Sequence, residues 1–338
     1  MSAGMKTRAK TLSILLLLTL SGGCAVLSGA EPAPPHASAV PLDHGRPEVV
    51  SVGGLRFRGA LELSGGGIGG LSGLWVAPDG ARFVAIGDTG LVATGGLDYD
   101  AAGRLSGATD LRTRPLAVEE GFSKRKKRTD AEDLARLPDG GWLVALERDH
   151  RILRYPSGEN GPEGVPTPIP VPPGVTEDTP PNSGLESLTR LADGRFLTIE
   201  EGEDGAAQER RAWVTRSAAL PERRGDWLPL TYRTAPRFRP TSVAPLPDGG
   251  ALVLERRVSL LGGWSSRIVR VAAKELRAGA VADGRELARL EAPLLNDNFE
   301  GIATRSDPAG ETLVYLVSDD NFSALQRGYL VMFALPDE

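Results

Sequence analysis

The chain has 338 residues, a formal net charge of −5 and a sequence pI near 5.5. This acidic balance argues against nucleic acid as a partner, and a single cysteine excludes a disulfide framework or a cysteine-based zinc site. The 42 glycines and 26 prolines favour a fold with many turns, and the length suffices to bury a core without cross-links.

The first 30 residues have the features of an export signal. Three basic residues precede an apolar stretch at 12–20 that is too short to span a bilayer as a helix. Cys24 follows in LTLSGGCA, the arrangement of a bacterial lipoprotein signal, although Ser21 stands where that pattern usually has Leu. Lipidation at Cys24, which would anchor the protein to the membrane, and plain cleavage after Ala30 both remain open. We expect an exported protein: a periplasmic or outer-membrane lipoprotein, or otherwise a secreted one.

Residues 31–47 are rich in proline and alanine, and we interpret them as a tether. The following residues, 48–338, are expected to form one folded domain that acts as a monomer. They contain no other long apolar segment, so the mature part is expected to have no membrane span.

The folded part repeats one phrase five times. Each copy begins with an acidic or small hydroxyl residue, continues as an alternating apolar run, reaches an Asp seven residues later and ends in a second apolar run. Successive copies begin 54 to 60 residues apart, which indicates repeated supersecondary units. The five starting residues are Ser72, Glu132, Glu186, Thr241 and Glu300.

Each repeat divides into four short strand-forming runs. In the second copy these are LARLP, WLVALER, RILRYP and VPTPIPVP, with Asp-Gly-Gly between the first two. Asp-Gly between alternating apolar runs is a strong hairpin signal. Four antiparallel strands repeated around an axis form a blade, so the sequence predicts an all-β fold, a β-propeller of four-stranded blades. A sandwich or open meander is the alternative, but neither requires such regular spacing.

Five repeats are visible, and a sixth blade remains open. The last repeat supplies three strands, and the strands predicted at 49–52 and 55–63 are left to complete it. Closing the ring with these N-terminal strands removes an open sheet edge. We therefore predict five blades, with six as the alternative.

The hairpins predict a ring of acids at one mouth of the central channel. The first strands of a propeller line the channel, and a hairpin brings the start of strand one and the end of strand two to the same edge. Like charges crowded at such a mouth require compensation. We place the ends of the second strands at Asp88, Glu147, Glu200, Glu255 and Asp319.

Two kinds of compensation remain open. A hard cation, most naturally Ca²⁺, binds carboxylate oxygens, whereas arginine pairs with carboxylates in a forked geometry. The predicted metal ligands are Glu132, Glu186, Glu300, Asp88 and Asp319. The arginines beside the same strand ends are Arg148, Arg151, Arg256, Arg257 and Arg267.

Several phrases resemble a known family. GGLSGLWVAPDG, DAEDLARLPDG, SGLESLTRLADG, NDNFEGIA and LVSDDNFSALQRGYLVMF are similar to the bacterial phytase-like family, described as "esterase-like activity of phytase". The resemblance covers nearly all of 50–338 and implies a propeller in an exported, phosphoester-hydrolysing protein. The sequence departs from the family at Asp133, where Gly is common. The family positions carried over are Glu132, Glu147, Arg148, Glu186, Glu300, Asp319, Asp320 and Asn321.

These observations lead to a hydrolase hypothesis. Calcium among the predicted ligands would polarise a phosphoryl or acyl oxygen and activate a water, and an unliganded carboxylate would act as base. The substrate would be a small anionic or ester compound. The candidate bases are Glu147, Glu200 and Glu255, and the candidate substrate-binding residues are Arg148, Arg256 and Arg151.

Other functions remain open. A non-catalytic envelope propeller could bind a ligand or protein at the same mouth, since Ser72 and Thr241 interrupt the acidic ring. A sugar-lactone or similar metal-dependent hydrolase would differ only in its substrate. A serine hydrolase is disfavoured because no G-x-S-x-G motif occurs. The basic run 124–128 is typical of a solvated loop, or it could draw an anionic substrate to the mouth.

Overall fold

The computed structural model describes most of the predicted domain. The predicted export signal, Cys24 and the basic run 124–128 lie outside the described residues. Within the described part, no helix combines the length and apolarity needed to cross a membrane. The described ranges are 33–118, 129–180, 182–203, 207–259 and 262–336.

The strands form five sheets, and each sheet is one blade of a propeller. Blade 1 contains β4 (Leu71–Val76), β5 (Arg82–Gly87), β6 (Leu91–Tyr99) and β7 (Leu105–Pro115). Blade 2 contains β8 (Ala131–Arg136), β9 (Trp142–Leu146), β10 (Arg151–Tyr155) and β11 (Thr167–Ile169). Blade 3 contains β12 (Leu185–Arg190), β13 (Phe196–Glu200), β14 (Glu209–Thr215), β15 (Trp227–Arg233) and the parallel edge strand β19 (Val281–Ala282).

The last two blades complete the ring. Blade 4 contains β16 (Arg239–Pro245), β17 (Ala251–Ser259), β18 (Gly263–Val271) and β20 (Arg285–Leu290). Blade 5 contains β21 (Asn298–Ser306), β22 (Thr312–Asp319), β23 (Gly328–Leu335), β3 (Leu55–Ser64), β1 (His36–Val40) and β2 (Ser51–Val52). The described helices are short: α1 (Val175–Asp178) and the 3₁₀ turns Arg224–Asp226 and Ala273–Glu275.

Blade 5 joins the two ends of the described chain. Strand β23 pairs antiparallel with β3, with Leu330 opposite Leu61. This pairing confirms the prediction of a propeller closed by N-terminal strands. Of the two blade counts that the sequence left open, the described residues form five.

Part of the predicted tether is a strand. The strand β1 pairs with the outer edge of β3, with Ala39 opposite Leu61. Leu42, two residues later, is fully buried in the cluster between blades 4 and 5. The tether prediction is therefore wrong for these residues, because β3 offers them an unpaired edge and the blade interface offers Leu42 an apolar site.

The core lies between neighbouring blades. Among the described residues, five clusters of buried apolar side chains occupy the five blade-to-blade interfaces. Between blades 1 and 2, the rings of Trp75 and Trp142 pack edge to face with centroids 5.2 Å apart. Because the apolar residues are used between blades, polar side chains are left for the channel ends.

Every first strand has a β-bulge at the start of its repeat. In blade 2, Ala131 pairs with Leu146 and Asp133 with Ala145, so Glu132 between them has no opposite residue. A bulge bends its strand and redirects a side chain. The same irregularity occurs in all five blades, at Ser72, Glu132, Glu186, Thr241 and Glu300.

Candidate functional site

A cavity of about 300 Å³ lies at one end of the channel, and all five blades contribute to its wall. Eight of its lining residues are carboxylic acids and three are arginines, and we call it the acidic cavity. Its lining residues are Asp88, Asp130, Glu132, Glu147, Arg148, Asn182, Glu186, Glu201, Arg239, Arg256, Glu300, Asp319 and Asn321.

The structure brings together all five predicted metal ligands. Glu132, Glu186 and Glu300 are the bulge residues of blades 2, 3 and 5, and Asp88 and Asp319 lie at the ends of second strands. They are up to 231 residues apart in the chain and line one cavity. Rotational repetition of the blade explains this convergence, since equivalent positions of each blade face the same axis.

Two of the predicted catalytic residues do not line the cavity. Glu200 pairs with Leu185, and Glu255 pairs with Pro240. In both blades the next residue reaches the wall instead, because successive strand residues face opposite sides. The residues that reach the wall are Glu201 and Arg256.

The two displaced glutamates have partners elsewhere. Glu200 accepts hydrogen bonds from Arg211 Nε and Thr179 Oγ1, each at 2.6 Å. Glu255 accepts a hydrogen bond from the Tyr232 hydroxyl at 2.7 Å and is paired with Arg267.

The predicted substrate-binding arginines also divide. Arg148 and Arg256 line the acidic cavity. Arg151 does not line it, and its guanidinium lies 3.5 Å from Asp149.

Sequence reasoning missed four cavity residues, of which Glu201 had a detectable signal. In three repeats the turn Asp is followed eight residues later by a cavity residue: Glu147 after Asp139, Glu201 after Asp193 and Arg256 after Asp248. Counting eight residues from the turn Asp in these repeats would have identified Glu201 and Arg256 as the residues that face the cavity. The remaining three have no comparable signal: Asp130 just before β8, Asn182 in a loop, and Arg239 at the first residue of β16.

Arginines neutralise part of the cavity. Arg239 Nη1 lies 3.0 Å from Glu201, and Arg256 Nη2 lies 3.1 Å from Glu201 and 3.3 Å from Glu300. Arg148 is paired with Asp130. The arginine compensation considered from the sequence is therefore present but incomplete, because carboxyl groups outnumber arginines by eight to three. Compensation by calcium stays a prediction.

The carboxyl groups form two close groups that share one member. Asp130, Glu132 and Glu147 can bring one oxygen each within 4.8 Å of one another, and Glu147, Glu186 and Glu201 can do the same. Glu147 thus belongs to both groups. All five are buried, so their charges interact strongly.

Burial and mutual repulsion hold protons on these acids. Burial, followed by the charges of neighbouring carboxylates, raises the pKa of Glu132 and Glu186 well above the usual value. Burial raises the pKa of Glu201 to about 7, even though Arg256 and Arg239 act in the opposite direction. Burial and the charge of Glu300 raise the pKa of Asp319 to about 8.

Asp133 ties four blades together beside the cavity. Its Oδ2 accepts hydrogen bonds from Leu188 N and Ser242 Oγ, both at 2.9 Å, and Ser242 Oγ accepts one from Ile302 N at 3.2 Å. Blade 1 packs closely against this strand, because a Cβ at Gly73 would lie 2.9 Å from Asp133 Cα. The Asp133 side chain thus links blades 2 to 5 through its own hydrogen bonds and that of Ser242.

This fold and site define a five-bladed β-propeller with a buried acidic cavity at one end of its channel. The chain belongs to the phytase-like family, described as "esterase-like activity of phytase", whose model matches residues 66–322. No curated protein matches the chain.

Solved structures resemble the chain only distantly. An aldose sugar dehydrogenase from Streptomyces coelicolor, solved with PQQ bound, has 15% identity and a TM-score of 0.41, covering 90% of this chain and 99% of that one. The Cps50 (Swd1) β-propeller domain of Myceliophteria thermophila has 12% identity and a TM-score of 0.42, covering 89% and 96%. An inactive virginiamycin B lyase from Staphylococcus aureus with quinupristin has 9% identity and a TM-score of 0.39, covering 89% and 100%. Similarities this weak have no bearing on function.

Proposed function

We propose that the protein is a calcium-dependent hydrolase of esters or phosphoesters that acts in the acidic cavity. The observation that carries this proposal is the shared position of Glu147 between two close groups of buried carboxylates. Ionising so many carboxyl groups close together in a buried site costs free energy, and a bound cation would lower that cost.

The residues present fit calcium. Glu132 is only 6% exposed, and it makes no hydrogen bond or ion pair with any residue that the structure describes. The charged donors are all carboxylate oxygens, which suits a hard cation such as Ca²⁺ and not zinc. Bound there, calcium would supply an electrophile for the phosphoryl or acyl oxygen and a water of lowered pKa. The residues that would hold it are Asp130, Glu132, Glu147 and Glu186.

The chain's own groups would supply orientation and proton transfer. Arg148 and Arg256 lie on the cavity wall and can donate hydrogen bonds to an anionic group of a substrate. Glu201 has a pKa of about 7 and lies on the same wall, so it can accept or release a proton near neutral pH. We propose Glu201 as the base in place of Glu200, with Glu147 as a ligand.

Assays with and without calcium test the proposal. The full chain should hydrolyse at least one of p-nitrophenyl phosphate, p-nitrophenyl acetate and phytate with calcium, and lose that activity with a chelator. The control is added magnesium, which should not restore full activity because it prefers a smaller site with more retained water. Folded protein that turns over none of the three substrates would contradict the hydrolase proposal.

A second candidate is a propeller that binds calcium and a ligand without chemistry. Ser72 and Thr241 occupy two of the five bulge positions, and Ser72 Oγ donates a hydrogen bond to Glu300 at 3.3 Å instead of supplying a carboxylate. Calcium binding measured by calorimetry, in the absence of any turnover, would favour this candidate.

The sequence features at the start of the chain support a proposed location. We propose export, with Cys24 lipidated or the signal removed after Ala30, and action as a monomer on a small substrate. Mass spectrometry of the protein from a membrane fraction would distinguish the two forms by the added lipid mass.

A further inference from the structure

A large apolar side chain stands at the rim of the acidic cavity. Phe322 is 56% exposed and directly follows Asn321, which lines the cavity. Single exposed apolar side chains are common on protein surfaces, so the significance of this ring depends on its position and contacts.

The backbone that holds this ring is strained. Asn321 and Phe322 have φ angles of 48° and 49°, in the left-handed region. Asn tolerates this region, but a bulky residue such as Phe adopts it at a cost of about 1–3 kcal/mol. Such strain persists only where surrounding contacts impose it, and it concentrates at ligand sites.

Acids of the site impose this conformation. Asp319, on the cavity wall, accepts a hydrogen bond from Asn321 N at 2.6 Å. Asp320 Oδ1 accepts hydrogen bonds from Phe322 N at 3.1 Å and from Gly70 N at 3.0 Å. The backbone that carries the ring is therefore fixed relative to the cavity by acidic side chains of the same segment.

Glycine in blade 1 lets the ring approach a cavity acid. A Cβ at Gly70 would lie 2.5 Å from Asp88 Oδ1 and 2.9 Å from Phe322 Cε2. The Phe322 ring and the Asp88 carboxylate, which lies on the cavity wall, are therefore both close to the same point beside Gly70. A molecule bound at this side of the cavity would meet both.

The charge of the cavity limits what can bind beside the ring. Eight carboxyl groups and three guanidinium groups line it, so even two divalent cations would leave the ionised cavity with a net negative charge. A ligand with many phosphate groups would meet repulsion. A ligand with one anionic or ester group could bind the divalent cations through that group. It could at the same time place an apolar part against the Phe322 ring.

We infer that Phe322 is a specificity-determining residue that forms an apolar lip, and that the substrate is a monoester with an aromatic or other flat apolar group. This inference rests on the proposed function for the reaction, but the selection of the apolar group can be measured by binding alone.

Non-hydrolysable ligands test the lip separately from catalysis. Calorimetry on the calcium-loaded full chain would compare phenylphosphonate with methylphosphonate. We expect about fivefold tighter binding of phenylphosphonate, the typical gain of one ring–ring contact. Phe322→Ala should abolish this preference and leave methylphosphonate binding unchanged, and Phe322→Leu should retain part of it.

A matched control and the contrary outcomes complete the test. Val281→Ala removes another exposed apolar side chain, on the outer edge strand of blade 3, and should change neither affinity. Equal binding of the two phosphonates, binding of neither, tighter binding of phytate, or an equal loss for both ligands in Phe322→Ala would overturn the inference. Tighter binding of phenylphosphonate than of methylphosphonate, without hydrolysis of any substrate, would support the role of Phe322. The same result would contradict the hydrolase proposal.

Discussion

Two adjacent glutamates at the end of β13 have different surroundings. Glu200 is bound by Arg211 and Thr179 outside the acidic cavity, whereas Glu201 lies on the cavity wall between Arg239 and Arg256. The pair therefore separates a carboxylate bound outside the cavity from one on the cavity wall, which we propose as the base. Their identical chemistry makes each the natural control for the other.

Replacing these glutamates one at a time should separate activity from stability. Glu201→Gln should lower kcat by about a hundredfold or more, since it removes the proposed proton acceptor. Glu200→Gln should leave kcat within about twofold and lower the free energy of unfolding by about 1 kcal/mol, because its partner Arg211 is partly exposed. Steady-state kinetics and urea unfolding measure the two effects. Equal kinetic losses in both variants would rule out the assignment of Glu201.

At the scale of elements, the repeat spacing explains which site residues could be predicted, and the register of the second strands explains which could not. The repeat spacing and the Asp-Gly turns predict the propeller, and the starting residues Glu132, Glu186 and Glu300 are correctly placed on the cavity. The ends of the second strands are wrong in two blades, because Glu200 and Glu255 stand seven residues after the turn Asp, whereas the residue that faces the cavity stands eight residues after it. Both residues of Glu200-Glu201 and both residues of Glu255-Arg256 are charged. The local sequence therefore does not show which residue of each pair faces the cavity.

The strand β1 was missed for a different reason. Its sequence, HASAV, lies in a proline- and alanine-rich stretch that has the composition of a linker. Its pairing depends on the unpaired edge of β3, which exists only once blade 5 is assembled. Contacts with a partner formed elsewhere in the fold override local composition here.

The burial of Leu42 makes the role of this segment measurable. Leu42→Ala should lower the free energy of unfolding by roughly 2–5 kcal/mol, because a fully buried leucine is truncated. Val50→Ala, at a side chain that is 57% exposed, should change it by less than about 0.5 kcal/mol. Urea unfolding of both variants gives the comparison. A tether would tolerate both changes equally, and that result would contradict the fold described for residues 36–42.

At the scale of the whole molecule, the ring holds acids together at an electrostatic cost. The pKa of Glu201 is raised to about 7 and that of Asp319 to about 8, so the folded chain binds more protons than the unfolded chain above about pH 4. The free energy of unfolding therefore falls as the pH rises from about 4 to about 8. A cation favours the ionised carboxylates and should offset this loss.

Thermal unfolding at two pH values checks this linkage. With a chelator, Tm should be lower at pH 8 than at pH 5. Calcium should raise Tm more at pH 8, where it has fewer protons to displace from these acids than at pH 5. An equal rise in Tm with calcium at both pH values would show that calcium binds away from the carboxyl groups whose pKa is raised. Glu201→Gln should flatten the chelator profile, because one titrating acid is removed.

The pairing of β23 with β3 also has a consequence for biosynthesis. A ribosome makes β3 early and β23 about 260 residues later, and at about 5–20 residues per second this interval lasts on the order of tens of seconds. A nascent chain could hold four finished blades during that time, with β3 still waiting for its partner. The acidic cavity includes Asp319 and Glu300 from the final blade, so its wall is complete only after nearly the whole polypeptide has been translated.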